Sequence, residues 1–238
     1  FYTNAENLGI SIEDVDHLVI SHGHADHTGG LEKFLLVNSK ADIMMSAQIK
    51  DKSFYSYRRQ SKRDISIDFK PVEQYINRFI FIEKNTQISE QVGLICEFSA
   101  CHPRPKANAS LFISSLEGEK QDDFNHEIAL TINTTDGLIV FSGCSHNGIL
   151  NTLSACTTYS KNSDAIACIG GTHFVDKDTG VGFESESDIQ QTANILKSSY
   201  PNMILYTGHC TGSFAAGKLA AFMGKSFNMF YTGNMIEI

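Results

Sequence analysis

The first part of the chain alternates short apolar runs with turn residues, a pattern that predicts strands rather than long helices. β-Branched and aromatic residues are frequent in these runs, which are HLVIS (17–21), ADIMMS (41–46), NRFIFIE (77–83), GLICEFS (93–99), LFISS (111–115), EIALTINT (127–134) and GLIVFSG (137–143). The TTDG stretch between the last two predicts a tight hairpin turn. A short helix is predicted at GGLEKFLL (29–36), and we interpret KSFYSYRRQSKRD (52–64) as an exposed basic and aromatic segment.

The pattern changes in the second half, where segments of helix length alternate with apolar runs of strand length. The predicted helices are NGILNTLSACTTYS (147–160), ESDIQQTANILKSSY (186–200) and GSFAAGKLAAFMG (212–224), and the predicted strands are DAIACIGG (164–171), NMILYTG (202–208) and the terminal FNMFYTGNMIEI (227–238). A strand-rich half followed by an alternating half favours two sheets packed face to face with helices outside, an α/β sandwich. We expect one domain over residues 1–238.

Residues that can bind a metal are concentrated in SHGHADHTGG (21–30), directly after the first predicted strand. Residues two apart in an extended segment face the same side, so His22 and His24 can converge on one ion. Asp26 and His27 lie where the chain turns towards a helix, and they point to a second ion nearby. Neutral imidazole and carboxylate are the ligands of zinc and related metals. The alternative interpretation, a patch of solvated loop histidines, fits this dense spacing less well.

This decapeptide resembles the signature loop of the metallo-β-lactamase superfamily, and later segments resemble one branch of it. GLIVFSGCSHNGILNTL, CIGGTHF and LYTGHCTG are similar to metal-dependent hydrolases of the kind related to the archaeal dihydropterin–ribofuranosylaminobenzene phosphate synthase. The resemblance implies a four-layer αββα sandwich with one or two divalent metal ions, with zinc favoured over manganese or iron. Superfamily members usually begin with a strand hairpin before this loop, so we expect the domain to lack its N-terminal strands here.

Three further histidines each follow a predicted strand: His146, His173 and His209. By the resemblance, His209 takes the place of the last histidine ligand of the superfamily, and His146 completes or bridges the site. Where many members have a bridging aspartate, this chain has Cys144. We interpret Cys144 as a small buried side chain and His146 as the ligand, with a Cys144 thiolate as the alternative. His173 is a metal ligand, a proton donor or a substrate contact, or a hydrogen-bonded loop histidine.

Two strand-to-helix turns carry glycine with serine or threonine, and they place Ser145 and Thr211 at predicted helix N-termini, where backbone N–H groups favour anions. Ordinary helix capping by these residues is the alternative. Arg104 lies with Lys106 in the proline-flanked segment CHPRPK (101–106), and an arginine there suits phosphate recognition. A solvated charged loop is the alternative for that segment. We therefore predict a small anionic substrate with contacts to Arg104, Ser145 and Thr211.

Composition narrows the classes of partner. The net charge is −8 and the chain has no long basic run, which argues against binding to nucleic acid or to an anionic membrane. No apolar stretch approaches the roughly 20 residues that a membrane-spanning helix needs. The six cysteines form no CxxC pair, so we expect a cytoplasmic protein without a disulfide framework. Association into a homo-oligomer remains compatible with the sequence.

These observations predict a metal-dependent hydrolase, or a transferase that displaces phosphate, with a pterin or a phosphoester as candidate substrate. Metal ions would activate water, Asp26 would both bind metal and orient the nucleophile, and His173 would serve as a proton donor. Two other classes are alternatives. One is a di-iron redox protein, which typically carries a flavin module that is not evident in 238 residues. The other is a metal-binding or ligand-sensing module without catalysis.

Overall fold

The computed structural model describes residues 1–58, 61–162 and 164–238 and shows the mixed α/β architecture that the sequence predicts. Its strands are β1 (His17–Val19), β2 (Asp42–Ser46), β3 (Ser53–Ser56), β4 (Arg63–Asp64), β5 (Phe79–Ile82), β6 (Thr86–Gln87), β7 (Val92–Ile95), β8 (Leu111–Ser115), β9 (Gly118–Gln121), β10 (Ala129–Asn133), β11 (Leu138–Phe141), β12 (Ala165–Ile169), β13 (Ile204–Thr207) and β14 (Phe227–Met229). The α-helices are α1 (Tyr2–Asn7), α2 (Ala25–Thr28), α3 (Leu31–Val37), α4 (Lys70–Gln74), α5 (Ile149–Ser160), α6 (Glu186–Ser199) and α7 (Ser213–Met223).

The chain divides into two compact units. The first unit comprises residues 1–83 and 110–128, and the second comprises residues 84–109 and 129–238. The first unit contains a parallel sheet in the order β1-β2-β5 and an antiparallel sheet in the order β4-β3-β8-β9. One hydrophobic cluster, to which β2, α3 and β3 contribute, fills this unit.

The segment 52–64 is not an exposed excursion, which corrects the sequence-based expectation. β3 lies in it and pairs with β8 on one side and β4 on the other. Burial alternates along β3, and Phe54 is fully buried in the core. The period-two pattern of SFYS was the signal for this strand, but the flanking arginines and lysines obscured it. Arg59 and Gln60 of the same segment lie outside the described residues.

The second unit is built on one sheet in the order β14-β13-β12-β11-β10-β7-β6. The strands from β11 to β14 are parallel, whereas β10 pairs antiparallel with β11 and β7. The predicted hairpin at 134–137 is present, and the Thr134 N–H donates to the Gly137 carbonyl at 2.9 Å. Because β11, β12 and β13 are adjacent and parallel, their carboxyl ends lie at one edge of the sheet, where ligands collect in α/β proteins.

The three long helices of the second unit agree with the sequence prediction. They bury Leu153, Ile189 and Leu219 in the core of this unit. α6 begins with a complete capping box, in which the Ser185 hydroxyl accepts from the Asp188 N–H and the Asp188 carboxylate accepts from the Ser185 N–H. The terminal segment is strand only over Phe227–Met229, so the strand predicted there is too long. Among the described residues, no helix has the length and apolar character required to cross a membrane.

Candidate metal centre

The loop after β1 brings three imidazole rings together in the first unit. His22 and His24 are buried, with 0% and 4% of their surface exposed. The His22 ring centroid lies 4.7 Å from that of His24 and 4.1 Å from that of His27. Asp26 is exposed on α2, and its Oδ2 lies 3.4 Å from Nε2 of His27. All four predicted residues of the motif are thus close together, and His27 contacts His22 as well as Asp26.

Burial sets the protonation state of two of these rings. Desolvation, reinforced by the neighbouring histidines, lowers the pKa of His22 well below its ordinary value. Desolvation also lowers the pKa of His24 to about 4. Both rings are therefore neutral at pH 7, which is the form of imidazole that binds a metal ion.

A buried pair that the sequence prediction missed, Asp122 and His126, holds this loop in place. Nδ1 of His126 accepts from the Gly23 N–H at 3.1 Å, and its Nε2 lies 3.1 Å from Oδ2 of Asp122. The first contact requires a lone pair on Nδ1, so Nε2 carries the proton and donates to Asp122. Both ring nitrogens are used, and His126 therefore positions the loop rather than binding a metal. The same Asp122 oxygen lies 3.7 Å from Nε2 of His24.

Asp122 is ionised despite its burial. Desolvation alone would raise the pKa of this carboxyl, but the hydrogen bonds from His126 and from the Phe124 N–H, together with the nearby His24 ring, lower it below its ordinary value. The only sequence signal for this pair was the DDFNH stretch in an irregular segment, where the apolar pattern gives no information on side-chain direction.

The strand ends of the second unit carry unusual backbone conformations. Ser145, His173 and His209 follow β11, β12 and β13, and they have positive φ angles of 54°, 53° and 53°. Left-handed conformations are uncommon for residues other than glycine and are frequent at functional sites. Two of these three residues are histidines that the sequence singles out.

His146 is held in one tautomer by Asn108. The Asn108 Nδ2 donates to the His146 carbonyl at 2.7 Å, which fixes the orientation of the amide. Its Oδ1 then accepts from Nδ1 of His146 at 3.0 Å, so the lone pair of the ring lies on Nε2. A hydrogen bond of this kind to the second nitrogen is typical of metal-binding histidines. The His146 ring is 1% exposed, and its centroid lies 4.1 Å from that of His173. Asn108 is not marked by any pattern in the sequence.

Two cysteines lie beside these histidines. The ligand atoms of Cys144, His173 and Cys210 are all within 4.8 Å of one another. Cys144 is buried as predicted, with 3% exposure. It does not belong to the hydrophobic cluster of the second unit, which contains Cys156 and Cys168. Its sulfur lies near the ligand atoms of His173 and Cys210, and its role as core side chain or ligand stays a prediction.

The predicted hydroxyl contacts have internal partners. Oγ1 of Thr211 lies 2.6 Å from Oγ1 of Thr207 and 2.9 Å from Oγ1 of Thr172, and it accepts from the Thr172 N–H at 3.1 Å. The Ser145 hydroxyl donates to that of Ser142 at 2.9 Å. These bonds tie the ends of neighbouring strands together, so the side chains of Ser145 and Thr211 contribute to the shape of the loops.

Arg104 lines a small pocket of the second unit. The pocket has a volume of about 90 Å³, and its walls include Lys106, Gly148, Phe174 and Glu184. Nη2 of Arg104 donates to Oδ1 of Asn147 at 2.7 Å. Glu184 is buried, and one of its oxygens accepts from the Lys106 N–H at 2.6 Å. Burial raises the pKa of the Glu184 carboxyl.

Comparisons with known proteins show similarity in family and fold. The family model described as the metallo-β-lactamase superfamily matches residues 3–88. The chain is 27% identical over 247 residues to the 7,8-dihydropterin-6-methyl-4-(β-D-ribofuranosyl)-aminobenzene-5'-phosphate synthase of Methanocaldococcus jannaschii, covering 98% of this chain and 79% of the relative. It is 28% identical to an uncharacterised protein of the same organism, covering 99% of this chain and 84% of that protein.

A solved structure is similar over the full chain. It is described as a metal-dependent hydrolase of the β-lactamase superfamily, with a TM-score of 0.82 and 26% sequence identity. The match covers 100% of this chain and 84% of the other. The predicted metallo-β-lactamase-like α/β fold is therefore confirmed.

Proposed function

Because the chain belongs to the metallo-β-lactamase superfamily, we propose that it is a metal-dependent hydrolase that acts on a small anionic substrate. The observation that carries this proposal is the cluster of His22, His24 and His27, whose rings are in contact at the end of β1. Contact between imidazoles is unfavourable for charged rings and suits neutral rings that share an ion. The cluster lies within the stretch that the superfamily model matches.

The residues present fit a divalent metal ion. In the first unit we assign His22, His24, Asp26 and His27 as ligands, and in the second unit His146 and His209. Nitrogen with some carboxylate oxygen is a donor set that suits zinc best and also accepts manganese or iron. We propose one or two ions per chain, as is general in the superfamily. A bound ion of this type acts as a Lewis acid and lowers the pKa of water.

The remaining assignments concern side chains of this protein. Asp26 orients the attacking water, and His173 donates a proton to the leaving group. Arg104 binds the negative charge of the substrate, and Ser145 and Thr211 shape the loops whose backbone N–H groups face it. Asp122 and His126 position the ligands without binding metal themselves. His126 accepts from the Gly23 N–H, and Asp122 lies beside the His24 ring. None of these roles requires a change in the backbone described above.

A second candidate function is that of a transferase, which would join a pterin to a second organic fragment and displace phosphate. It is favoured by the synthase relative, to which 98% of this chain aligns. In hydrolysis the nucleophile is water, whereas in transfer it is the second organic fragment, and a bound divalent ion would stabilise the negative charge that develops on the leaving group in either reaction. The products distinguish them, because hydrolysis adds water to the substrate whereas transfer joins two organic fragments.

The test compares chelator-stripped and zinc-loaded protein on a panel of phosphomonoesters, phosphodiesters, thioesters, lactones and a phosphorylated dihydropterin. We expect turnover only with metal, and we expect His22→Ala to reduce it by at least about 100-fold because a ligand is lost. His17→Ala is the matched control, since His17 is exposed at the start of β1. Turnover that persists without metal would contradict the proposal, and a joined pterin product would favour the transferase.

Two outcomes of the same experiment identify the other classes. Tight metal binding without turnover on any member of the panel would favour a metal-binding or sensing module. Iron in the purified protein with an absorption spectrum that changes on reduction would favour a di-iron redox protein. We also propose a cytoplasmic location and no nucleic-acid partner, supported by the net charge of −8 and by six cysteines that form no disulfide.

A further inference from the structure

Cys144 and Cys210 form a pair of neighbouring thiols at the edge of the second sheet. Cys144 follows β11 and Cys210 follows β13, and β12 lies between these two strands. Their sulfur atoms are no more than 4.8 Å apart. Sγ of Cys210 accepts from the His173 N–H at 3.3 Å and lies 3.7 Å from the Cys144 carbonyl oxygen. These contacts direct the Cys210 side chain across the end of β12 towards Cys144.

A glycine makes this crossing possible. A Cβ atom placed on Gly171, at the end of β12, would lie 2.2 Å from Sγ of Cys210 and 3.5 Å from Cα of Cys144. Any larger residue at 171 would therefore occupy the space that the Cys210 side chain uses. The φ angle of Gly171 is not in the left-handed region, so an alanine there is compatible with the backbone. Gly171 therefore leaves space for the Cys210 side chain, and its role does not depend on a backbone conformation that only glycine adopts.

The pair differs from the other neighbouring cysteines of the second unit. Cys156 and Cys168 are buried in the hydrophobic core, with exposures of 0% and 1%, and burial raises the pKa of the Cys168 thiol to about 12. An oxidant cannot reach them without unfolding. Cys210 is partly exposed, whereas Cys144 is buried. This arrangement gives one cysteine at the edge of the solvent-accessible surface and a second whose sulfur lies within 4.8 Å of it.

We propose that Cys144 and Cys210 are a redox-sensitive pair that a hydroperoxide converts to a disulfide. In the first step the Cys210 sulfur attacks the peroxide O–O bond, which gives a sulfenic acid and releases the alcohol or water of the peroxide. In the second step the Cys144 sulfur attacks the sulfenic sulfur, the S–S bond forms and water leaves. Two thiols are oxidised and one peroxide is reduced. A dithiol reverses the change by exchange.

The disulfide would change the position of two proposed metal ligands. A disulfide bond requires the sulfurs to come to about 2.05 Å of each other, so both cysteine side chains must reorient and the loops after β11 and β13 become covalently linked. Cys144 lies two residues before His146, and Cys210 directly follows His209. We therefore expect the oxidised protein to bind zinc about tenfold more weakly, a loss comparable to that of a displaced supporting residue. This consequence rests on the proposed function, whereas formation of the disulfide does not.

The test uses the whole chain with Cys96 and Cys101 replaced by serine. The cysteines that remain are then the Cys144 and Cys210 pair and the Cys156 and Cys168 pair. Metal-free protein is treated with hydrogen peroxide, unreacted thiols are alkylated, and peptides are mapped by mass spectrometry without reduction. We expect a Cys144–Cys210 peptide that has lost two hydrogen atoms, while Cys156 and Cys168 remain thiols. Sulfenic or sulfinic acid on Cys210 alone, with Cys144 still alkylated, would overturn the proposal.

Gly171→Ala tests the geometry separately from the chemistry, because it keeps both thiols and displaces the Cys210 sulfur. We expect the disulfide to form at least about tenfold more slowly in this variant, since the displaced Cys210 sulfur no longer starts close to that of Cys144. Circular dichroism checks that Gly171→Ala is folded. If Gly171→Ala does not fold, Cys144→Ser takes its place, because the proposal requires that Cys210 forms no disulfide in that variant. A bridge that forms in Gly171→Ala at the parental rate would contradict the role given to Gly171 and with it the proposal. Zinc titration of the oxidised and the reduced parent protein then measures the change in zinc affinity. Detection of the disulfide does not depend on the hydrolase assay, so the two proposals can fail separately.

Discussion

At the scale of single residues, His146 shows how one hydrogen bond selects the metal-binding form of an imidazole. The Asn108 amide is fixed by the His146 carbonyl, so it can only accept from Nδ1 of the ring. In the neutral ring the lone pair is then on Nε2. Cys144, two residues earlier, must lose a proton to bind metal.

We accordingly expect His146→Ala to remove most metal from one site and Cys144→Ala to leave the metal content nearly unchanged. The imidazole matches the nitrogen-rich partners elsewhere in the motif and reaches further than a thiol. Elemental analysis of both purified variants against the parent protein measures the effect. The opposite ranking would show that a Cys144 thiolate takes the place of the bridging aspartate found in many superfamily members.

Asp122 provides a second prediction at this scale. It accepts from His126 and lies 3.7 Å from His24, so its removal leaves both rings without their orienting partner. We expect Asp122→Asn to weaken zinc binding by about 10–100-fold, the range typical of residues that support metal ligands. Competition with a chromogenic chelator measures the affinity. Asp123→Asn, at the partly exposed neighbouring position where the carboxylate pairs with Lys120, is the control, and equal affinities in the two variants would contradict the positioning role.

At the scale of elements, the cap of α6 combines a capping box with an ion pair. The Asp188 carboxylate accepts from Ser185 and pairs with Lys106. The hydrogen bond from Lys106 is the main cause that lowers the pKa of Asp188 to about 2, with Ser185 contributing. A depressed pKa in the folded state means that this stabilisation is present above the ordinary aspartate pKa of about 4 and is lost as the pH falls towards 2.

We expect Asp188→Asn to lower the free energy of unfolding by about 0.5–1 kcal/mol at pH 7, a modest value because the side chain is partly exposed. The difference from the parent protein should shrink as the pH is lowered from 4 towards 2, because the parental carboxylate is then protonated. Urea unfolding at several pH values provides the measurement, and Glu117→Gln, in the exposed turn between β8 and β9, is the control. A difference that does not depend on pH would show that charge contributes nothing to this cap.

Elements differ in how far the sequence predicts them. The helices α5, α6 and α7 and the strands β10 to β13 have full apolar periodicity, so their positions and the histidines that follow them are predictable. β3 is not recognised because charged neighbours mask a four-residue alternation. Asp122, His126 and Asn108 lie in irregular segments, and the loop and ring that His126 and Asn108 hold are far along the chain, since Gly23 and His126 are 103 positions apart and Asn108 and His146 are 38 apart. Such contacts follow from the tertiary fold and leave no periodic signal in the sequence.

At the scale of the whole molecule, bound metal should be visible in thermal stability. A ligand that binds only the folded state at 100 times its dissociation constant adds about 2.7 kcal/mol to the free energy of unfolding. For a chain of this size, each kcal/mol raises Tm by about 2–4 °C. We expect removal of metal by a chelator to lower Tm by about 5–10 °C, and readdition of zinc to restore it. Differential scanning calorimetry with and without zinc measures this, and an unchanged Tm would argue against metal as part of the folded protein.

The account depends most on metal being held by the histidine cluster after β1, and the metal content of three proteins tests this directly. Wild-type protein, His17→Ala and His22→Ala are stripped, dialysed against zinc and analysed for zinc per chain. We predict one or two ions in the wild type and in His17→Ala, because His17 is exposed and outside the cluster. We predict the loss of at least one ion in His22→Ala, whose ring contacts both His24 and His27. Equal zinc content in all three proteins, or no bound zinc in any of them, would contradict the account.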